Sequence, residues 1–361
     1  MSLKLAFTAD DWARVETAWT DWWNGDLDRP LVWAETGRPD ADLDGRLQRF
    51  LTHYPLEMPA EEVADLHRRH LERMEWFGDA VPKWWINFGP GIMAGFLGAK
   101  VVPQPHTVWF EPARECELAE MHPVYDPDNL WWRRVQAITR AAVAVCGDQA
   151  VVGHTDLGGN LDILAALRSS EKLLTDLYDC PDDVARVSGE FTRLWLRYYD
   201  DLHALIRQGG RGTTPWATVW SPGRGYMLQS DFSYMISPAM FARFVVPDLT
   251  ACCASLDHGF YHLDGKGQLP HLDLLLGIDR LRGIQWIPGD GQPPPEAWLP
   301  VLKRIRDGGK LCQLTLSTEG ARTIVKNLGG RGFAFQLVDG VVNTRERHAA
   351  FMAQLRADEP K

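Results

Sequence analysis

The feature that most constrains this chain is an alternation. Short apolar runs, each closed by glycine or a polar residue, are followed by longer stretches with helical spacing, and this repeats along most of the 361 residues. Strands are expected at 31–34, 84–88, 151–154, 217–220, 260–262, 283–287, 311–314 and 333–337. Helical periodicity occupies 61–76, 129–145, 169–178, 182–206, 238–256, 295–306, 318–328 and 344–355. Strands alternating with helices pair in parallel through crossover helices. Eight such units favour one closed (β/α)8 TIM barrel over an open sheet. The expected α/β fold is therefore a barrel over 28–361, preceded by an N-terminal helical extension over 1–27. In that extension Thr8 supplies an N-cap, and Trp12, Val15, Trp19 and Trp22 recur at helical spacing, which assigns them to the core. The segment 101–111 reads as an added hairpin ahead of the third strand.

Composition removes several classes of function. The net charge is −10, so the basic footprint that nucleic-acid binding requires is missing. No apolar run reaches about 18 residues, so no membrane span is expected. The first dozen residues lack a secretory core, and the six cysteines form no CxxC pair. Together these features point to a cytoplasmic protein acting on a small molecule. A homodimer is compatible with them.

In a barrel of this kind the chemistry gathers at the C-terminal ends of the strands. Read in order, those ends offer Arg38, then Trp85 and Asn87, then His154, Asp156 and Asn160, then Trp220 and Arg224. Asp231 follows in a loop, then His262 and Asp264, then Trp286, and finally Asp339. His262 and Asp264 are two apart, so on a strand both point to one face. A metal site, an acid–base pair and a plain hydrogen-bonded strand end all fit that spacing. His154 and Asp156 repeat it and are candidates for acid–base work. Asn160 and Asp231 either cap a helix or touch the ligand. Trp85, Trp220 and Trp286 would form an aromatic wall suited to a sugar, a methoxylated arene, a corrinoid face or a quaternary ammonium.

Four stretches carry a family resemblance. They are Arg29-Pro-Leu-Val-Trp-Ala-Glu-Thr-Gly-Arg38, the segment from Phe88-Gly-Pro-Gly to Gly98, Val151-Val-Gly-His-Thr-Asp-Leu-Gly-Gly159, and Ile236-Ser-Pro-Ala-Met-Phe-Ala-Arg-Phe-Val-Val-Pro247. In order and spacing the chain resembles the uroporphyrinogen decarboxylase superfamily over roughly 28–345. That group includes the corrinoid-linked methyltransferases that use a thiol acceptor. Against the decarboxylase pattern, Arg38 matches one of two loop arginines, Ala34 stands near the other, Gly89 falls at the catalytic aspartate and Asp339 at the last histidine. Against the methyltransferase pattern, His262 matches the zinc-binding histidine, while Asp264 and Asp339 stand where two cysteines belong. The resemblance thus implies a His262/Asp264/Asp339 ligand set for a divalent metal, with carboxylates broadening the choice from zinc to manganese or iron(II). It also implies a corrinoid protein as partner.

The leading expectation is a methyl- or group-transfer enzyme working at this site. Its catalytic residues would be His262, Asp264, Asp156 and His154. Substrate would contact Trp85, Asn87, Asn160, Trp220, Arg224, Asp231, Trp286 and Arg38. A decarboxylase or lyase acting on a smaller acid or sugar, with Arg38 and Arg224 holding a carboxylate, is the second reading. A ligand-binding protein on a degraded barrel site is the third.

Overall fold

The computed structural model describes residues 2–37 and 45–360, so Arg38 lies outside the described residues. The chain opens with the helix Ala9–Asn24. Thr8 Oγ1 accepts the Asp11 N–H at 3.1 Å, and the Asp11 carboxylate accepts the Thr8 N–H at 3.0 Å, which closes a capping box. The helix stops at Gly25, whose φ of 75° suits glycine at a helix end.

Eleven strands follow among the described residues: β1 (Leu31–Gly37), β2 (Met74–Gly78), β3 (Lys83–Trp85), β4 (Lys100–Gln104), β5 (Thr107–Glu111), β6 (Val151–Gly153), β7 (Gly225–Leu228), β8 (His258–Asp264), β9 (Leu281–Ile287), β10 (Leu311–Leu316) and β11 (Phe333–Leu337). The central sheet has the order β2-β1-β11-β10-β9-β8-β7. Every pair in it is parallel except β1 with β2. β3 and β6 form a second parallel ladder, and β4 with β5 forms the expected hairpin. Backbone bonds carry the second ladder further: Ile86 N–H donates to Gly153 O at 3.3 Å, and His154 N–H donates to Thr214 O at 3.0 Å. The fold is α/β around a central parallel sheet, with helices in the crossovers.

Three departures from the sequence reading have local causes. The segment 217–220 forms no strand; Thr213 instead bridges antiparallel to Ser221, and the fourth strand is β7, further along. The helix expected over 61–76 ends at Leu71, and β2 takes up the following residues as an antiparallel neighbour of β1. The helix expected over 238–256 breaks at Val245 into Pro238–Phe244 and Val246–Ser255, because Pro247 has no N–H to continue the ladder.

The N-terminal helix belongs to the same hydrophobic core as the sheet. Trp19 packs on Trp33 of β1 at 5.5 Å, Trp22 lies 6.1 Å from Phe260 of β8, and Trp23 stacks on His258 at 4.2 Å. His258 and Phe260 sit at the start of β8, so the helix covers the N-terminal edge of the sheet. Burying one indole contributes on the order of 5 kcal/mol as an upper bound. No helix among the described residues is long and apolar enough to cross a membrane.

Candidate functional site

Alternation along β8 puts His258, Phe260, His262 and Asp264 on one face. The first two meet the tryptophans of the N-terminal helix. The last two reach the open, C-terminal end. On the neighbouring strand Gly283 lies beside Phe260, where a Cβ would stand 1.9 Å from the phenyl ring, so only glycine fits. Two residues on, Gln285 stands level with His262, and on the next strand Gln313 stands level with Gln285. These three form a row. Gln285 Oε1 lies 2.5 Å from His262 Nδ1, Gln285 Nε2 donates to Gln313 Oε1 at 2.6 Å, and Gln313 Nε2 donates to Leu314 O at 3.0 Å. The main-chain carbonyl at the end of the row fixes the orientation of both amides. The oxygen of Gln285 therefore faces His262, and Nδ1 must carry the proton. That leaves Nε2 directed to the mouth, where it lies 3.7 Å from Asp264 Oδ2.

The third member of the group is Asp231. It begins the short 3-10 segment Asp231–Met235, which is anchored by Asp162: one carboxylate oxygen accepts the Asp231 N–H at 3.1 Å and the other the Phe232 N–H at 2.7 Å. Asp231, His262 and Asp264 each offer a ligand atom, and these atoms all lie within 4.8 Å of one another. Burial pulls the His262 imidazolium down, but the Asp264 hydrogen bond, the Asp231 charge and Gln285 outweigh it, so its pKa is raised. Desolvation raises the Asp231 carboxyl, with Asp264 adding to the rise and His262 opposing it. Behind them Asp156 accepts the Gly158 N–H at 2.8 Å and faces the Gln229 amide at 3.3 Å. Burial pushes Asp156 up to about 7, with the Asp231 charge adding and the Gly158 N–H, His262 and Gln229 opposing. A cleft of about 680 Å³, lined by Tyr234, Asp264, Lys266, Asp290, Gln292 and Thr315, opens on one side of the group. A second of about 370 Å³ opens on the other side, along Asp162, Gln229, Asp231 and Trp109.

This chain has the fold of a methyltransferase. One solved structure of similar fold is a methyltransferase from Methanosarcina mazei, which matches with a TM-score of 0.60 at 13% identity, over 95% of this chain and 98% of that one. At that identity the likeness shows the fold alone. No family model matches the chain, and no curated protein does.

Of the residues singled out in the sequence, His262, Asp264 and Asp231 converge, and Asp156 stands behind them. The others among the described residues go elsewhere. Asp339 does not join the metal-competent group. One of its oxygens accepts both the N–H and the hydroxyl of Thr318, at 2.6 and 2.7 Å, and the other accepts the Val341 N–H at 3.2 Å, which ties the loop after β11 to the start of the preceding helix, Thr318–Leu328. His154 is 1% exposed and lies in an aromatic stack, 4.6 Å from Tyr199 and 5.8 Å from His203, with neither ring nitrogen partnered. Arg224 precedes β7, at the opposite end from the mouth, and is spent on Asp200 and Ser255 O. Trp220 lies at that end too, where its indole donates to Arg211 O and its carbonyl accepts from Trp23. Trp286 follows Gln285 onto the other face of β9 and packs on Trp298 at 5.4 Å. Asn160 is buried, bridging Phe244 O and the Leu161 N–H. Trp85 and Asn87 line a separate cavity of about 310 Å³ with Glu35 and Lys83. The glutamine row, Asp162 and Trp216, whose ring edge meets His262 at 5.6 Å, were not read from the sequence. Glutamine has no spacing signature; the one available signal was strand register.

Proposed function

We propose that this chain is a group-transfer enzyme, with methyl transfer as the reaction type, and that its site is Asp231, His262 and Asp264 holding a divalent metal at the mouth of a (β/α)8 ring. The two parallel ladders would be arcs of that ring. The observation that carries the reading is the His262–Gln285–Gln313 row, which holds Nδ1 as the donor and leaves Nε2 as the nitrogen facing two carboxylates. Metal-ligating histidines commonly have their other nitrogen held by such a partner. One nitrogen and two carboxylates are a hard, mixed donor set suited to zinc, manganese or iron(II). The likeness in fold to a methyltransferase supports the reaction type.

A cation held there would act as a Lewis acid on a coordinated group. The chain's own residues do the rest. Gln285 and Gln313 fix the ring of His262. Asp162 fixes Asp231 through two backbone N–H groups. Asp156, with its pKa near neutrality, exchanges a proton with the acceptor. Trp216 packs against the His262 ring at 5.6 Å.

The test is metal content of protein prepared without chelator or affinity tag, measured by mass spectrometry beside four variants. About one equivalent is expected in the wild type, lost in His262→Ala, Asp231→Ala and Asp264→Ala and retained in Asp339→Ala. No metal in the wild type after soaking with zinc, manganese and iron(II) would overturn the reading.

A further inference from the structure

The cavity between β1, β3 and the helix Ala60–Leu71 plays no part in the metal group. Lys83 and Trp85 share a face of β3 and both line it, with Trp84, Arg49, His67 and His70 nearby. The Lys83 ammonium donates to Trp216 O at 2.8 Å and to Thr218 Oγ1 at 2.6 Å. The Thr218 hydroxyl in turn donates to Glu35 Oε1 at 3.2 Å. Glu35 is thus relayed to Lys83 through a hydroxyl rather than paired with it. Among the described residues Lys83 forms no ion pair, and its third N–H has no partner. A cation withdrawn from water without a counter-ion is costly unless a ligand supplies the charge. Burial lowers the Lys83 pKa, with Glu35 opposing, in keeping with that deficit.

A second observation points the same way. The indole N–H of Trp85, His67 Nε2 and His70 Nδ1 are all buried and without a partner. His67 stacks on Trp84 at 4.4 Å, and burial, aided by His70, pushes its pKa down to about 3, so it is neutral. Those nitrogens are sealed off, so it is the faces of the rings that the cavity meets. The wall offers two cations, Lys83 and Arg49, one carboxylate, Glu35, and the two flat aromatic faces of Trp84 and Trp85. We infer that this cavity binds a small, flat organic acid, with its carboxylate on Lys83 and Arg49 and its ring against the indoles. The volume of about 310 Å³ admits a single-ring acid and little more.

The site bears on the reaction through Trp216. Lys83 grips its carbonyl, and its ring edge meets His262. An acid held at Lys83 would reach toward His262 past that one residue, as the substrate of the proposed transfer. The role as substrate rests on the metal reading; the binding does not.

Benzoate is the probe, with neutral benzamide as control, titrated calorimetrically into the full chain. Saturable benzoate binding is expected, weakened at least about tenfold in Lys83→Met and several-fold in Trp85→Phe, with benzamide binding at least about tenfold more weakly than benzoate. Circular dichroism checks that each variant is folded. If Lys83→Met is not, Trp85→Phe and the benzamide comparison decide. No saturable binding, equal binding of benzamide, or unchanged binding in a folded Lys83→Met overturns the site. His262→Ala separates the two proposals. It is expected to bind benzoate as the wild type does, whether or not it has lost metal. Loss of benzoate binding in that variant would place the acid at His262 and overturn the inference.

Discussion

His154-Thr-Asp156 and His262-Leu-Asp264 are the same motif written twice, the first just past the end of β6 and the second on β8. Their fates diverge. His262 meets a glutamine on the next strand, which fixes its tautomer and aims Nε2 at two carboxylates. His154 meets Tyr199, His203 and Tyr226, is 1% exposed, and has no polar partner for either nitrogen. Spacing decides which face a side chain takes. The neighbouring strand or helix decides what chemistry is left to it.

The contrast makes definite predictions. His262→Ala should abolish metal binding with little loss of stability, and His154→Ala should do the reverse. Truncating the buried ring of His154 should cost about 3 kcal/mol in denaturant unfolding while metal content stays unchanged. Loss of metal in both variants would erase the distinction. Next in size is the amide row. Gln285→Leu should lower metal affinity about 10- to 100-fold without removing a ligand, and His262 should show a mixed tautomer by nitrogen NMR in the metal-free protein. An unchanged tautomer would show that the row does not orient the ring.

The pH dependence of stability sharpens the comparison within one copy of the motif. Burial holds the His154 pKa well below its usual value, with His203 and Arg224 contributing. Its part of the stability is therefore whole above about pH 6.5 and falls as pH drops and the unfolded chain takes up a proton. Asp156 works in the opposite direction. With its pKa pushed up to about 7, its contribution is greatest below the unfolded value of 3.8 and declines as pH rises between the two. His154→Phe and Asp156→Asn should each remove a slope of up to about 1.4 kcal/mol per pH unit, of opposite sign. Two slopes of the same sign would overturn the assignment. The smallest effect is expected from Asp339→Ala, which loses the bonds to Thr318 at a cost of about 1 kcal/mol in thermal unfolding. A larger loss would mean that this loop does more than cap a helix.

Much of the fold was legible because its signals are local. The strand at 333–337 and the helix at 318–328 have the limits expected from sequence. Segment 217–220 misled because Thr218, Val219 and Trp220 carry strand propensity, yet Pro215, Pro222 and Gly223 bracket them in a loop. The true β7, Gly225–Leu228, is buried on both sides and shows no alternation. Half of the site was legible for the same reason: His262 and Asp264 are set by alternation within one strand. Asp231 was singled out as a loop residue that caps a helix or touches ligand, but its place beside His262 comes from the 3-10 segment, and Gln285 enters only through strand register. Asp339 sits at a strand end as expected, but a nearer donor, Thr318, claims its carboxylate.

The indole cluster that seals the N-terminal edge of the sheet has a consequence for traffic. With Trp19, Trp22 and Trp23 packed against Trp33, His258 and Phe260, access to the site lies at the carboxylate end, which serves as its doorway. Any bulky carrier docked across that doorway confines a small reactant already inside. For the transfer proposed above, the order of arrival would then be set by architecture, with the small molecule entering first and the large one closing over it.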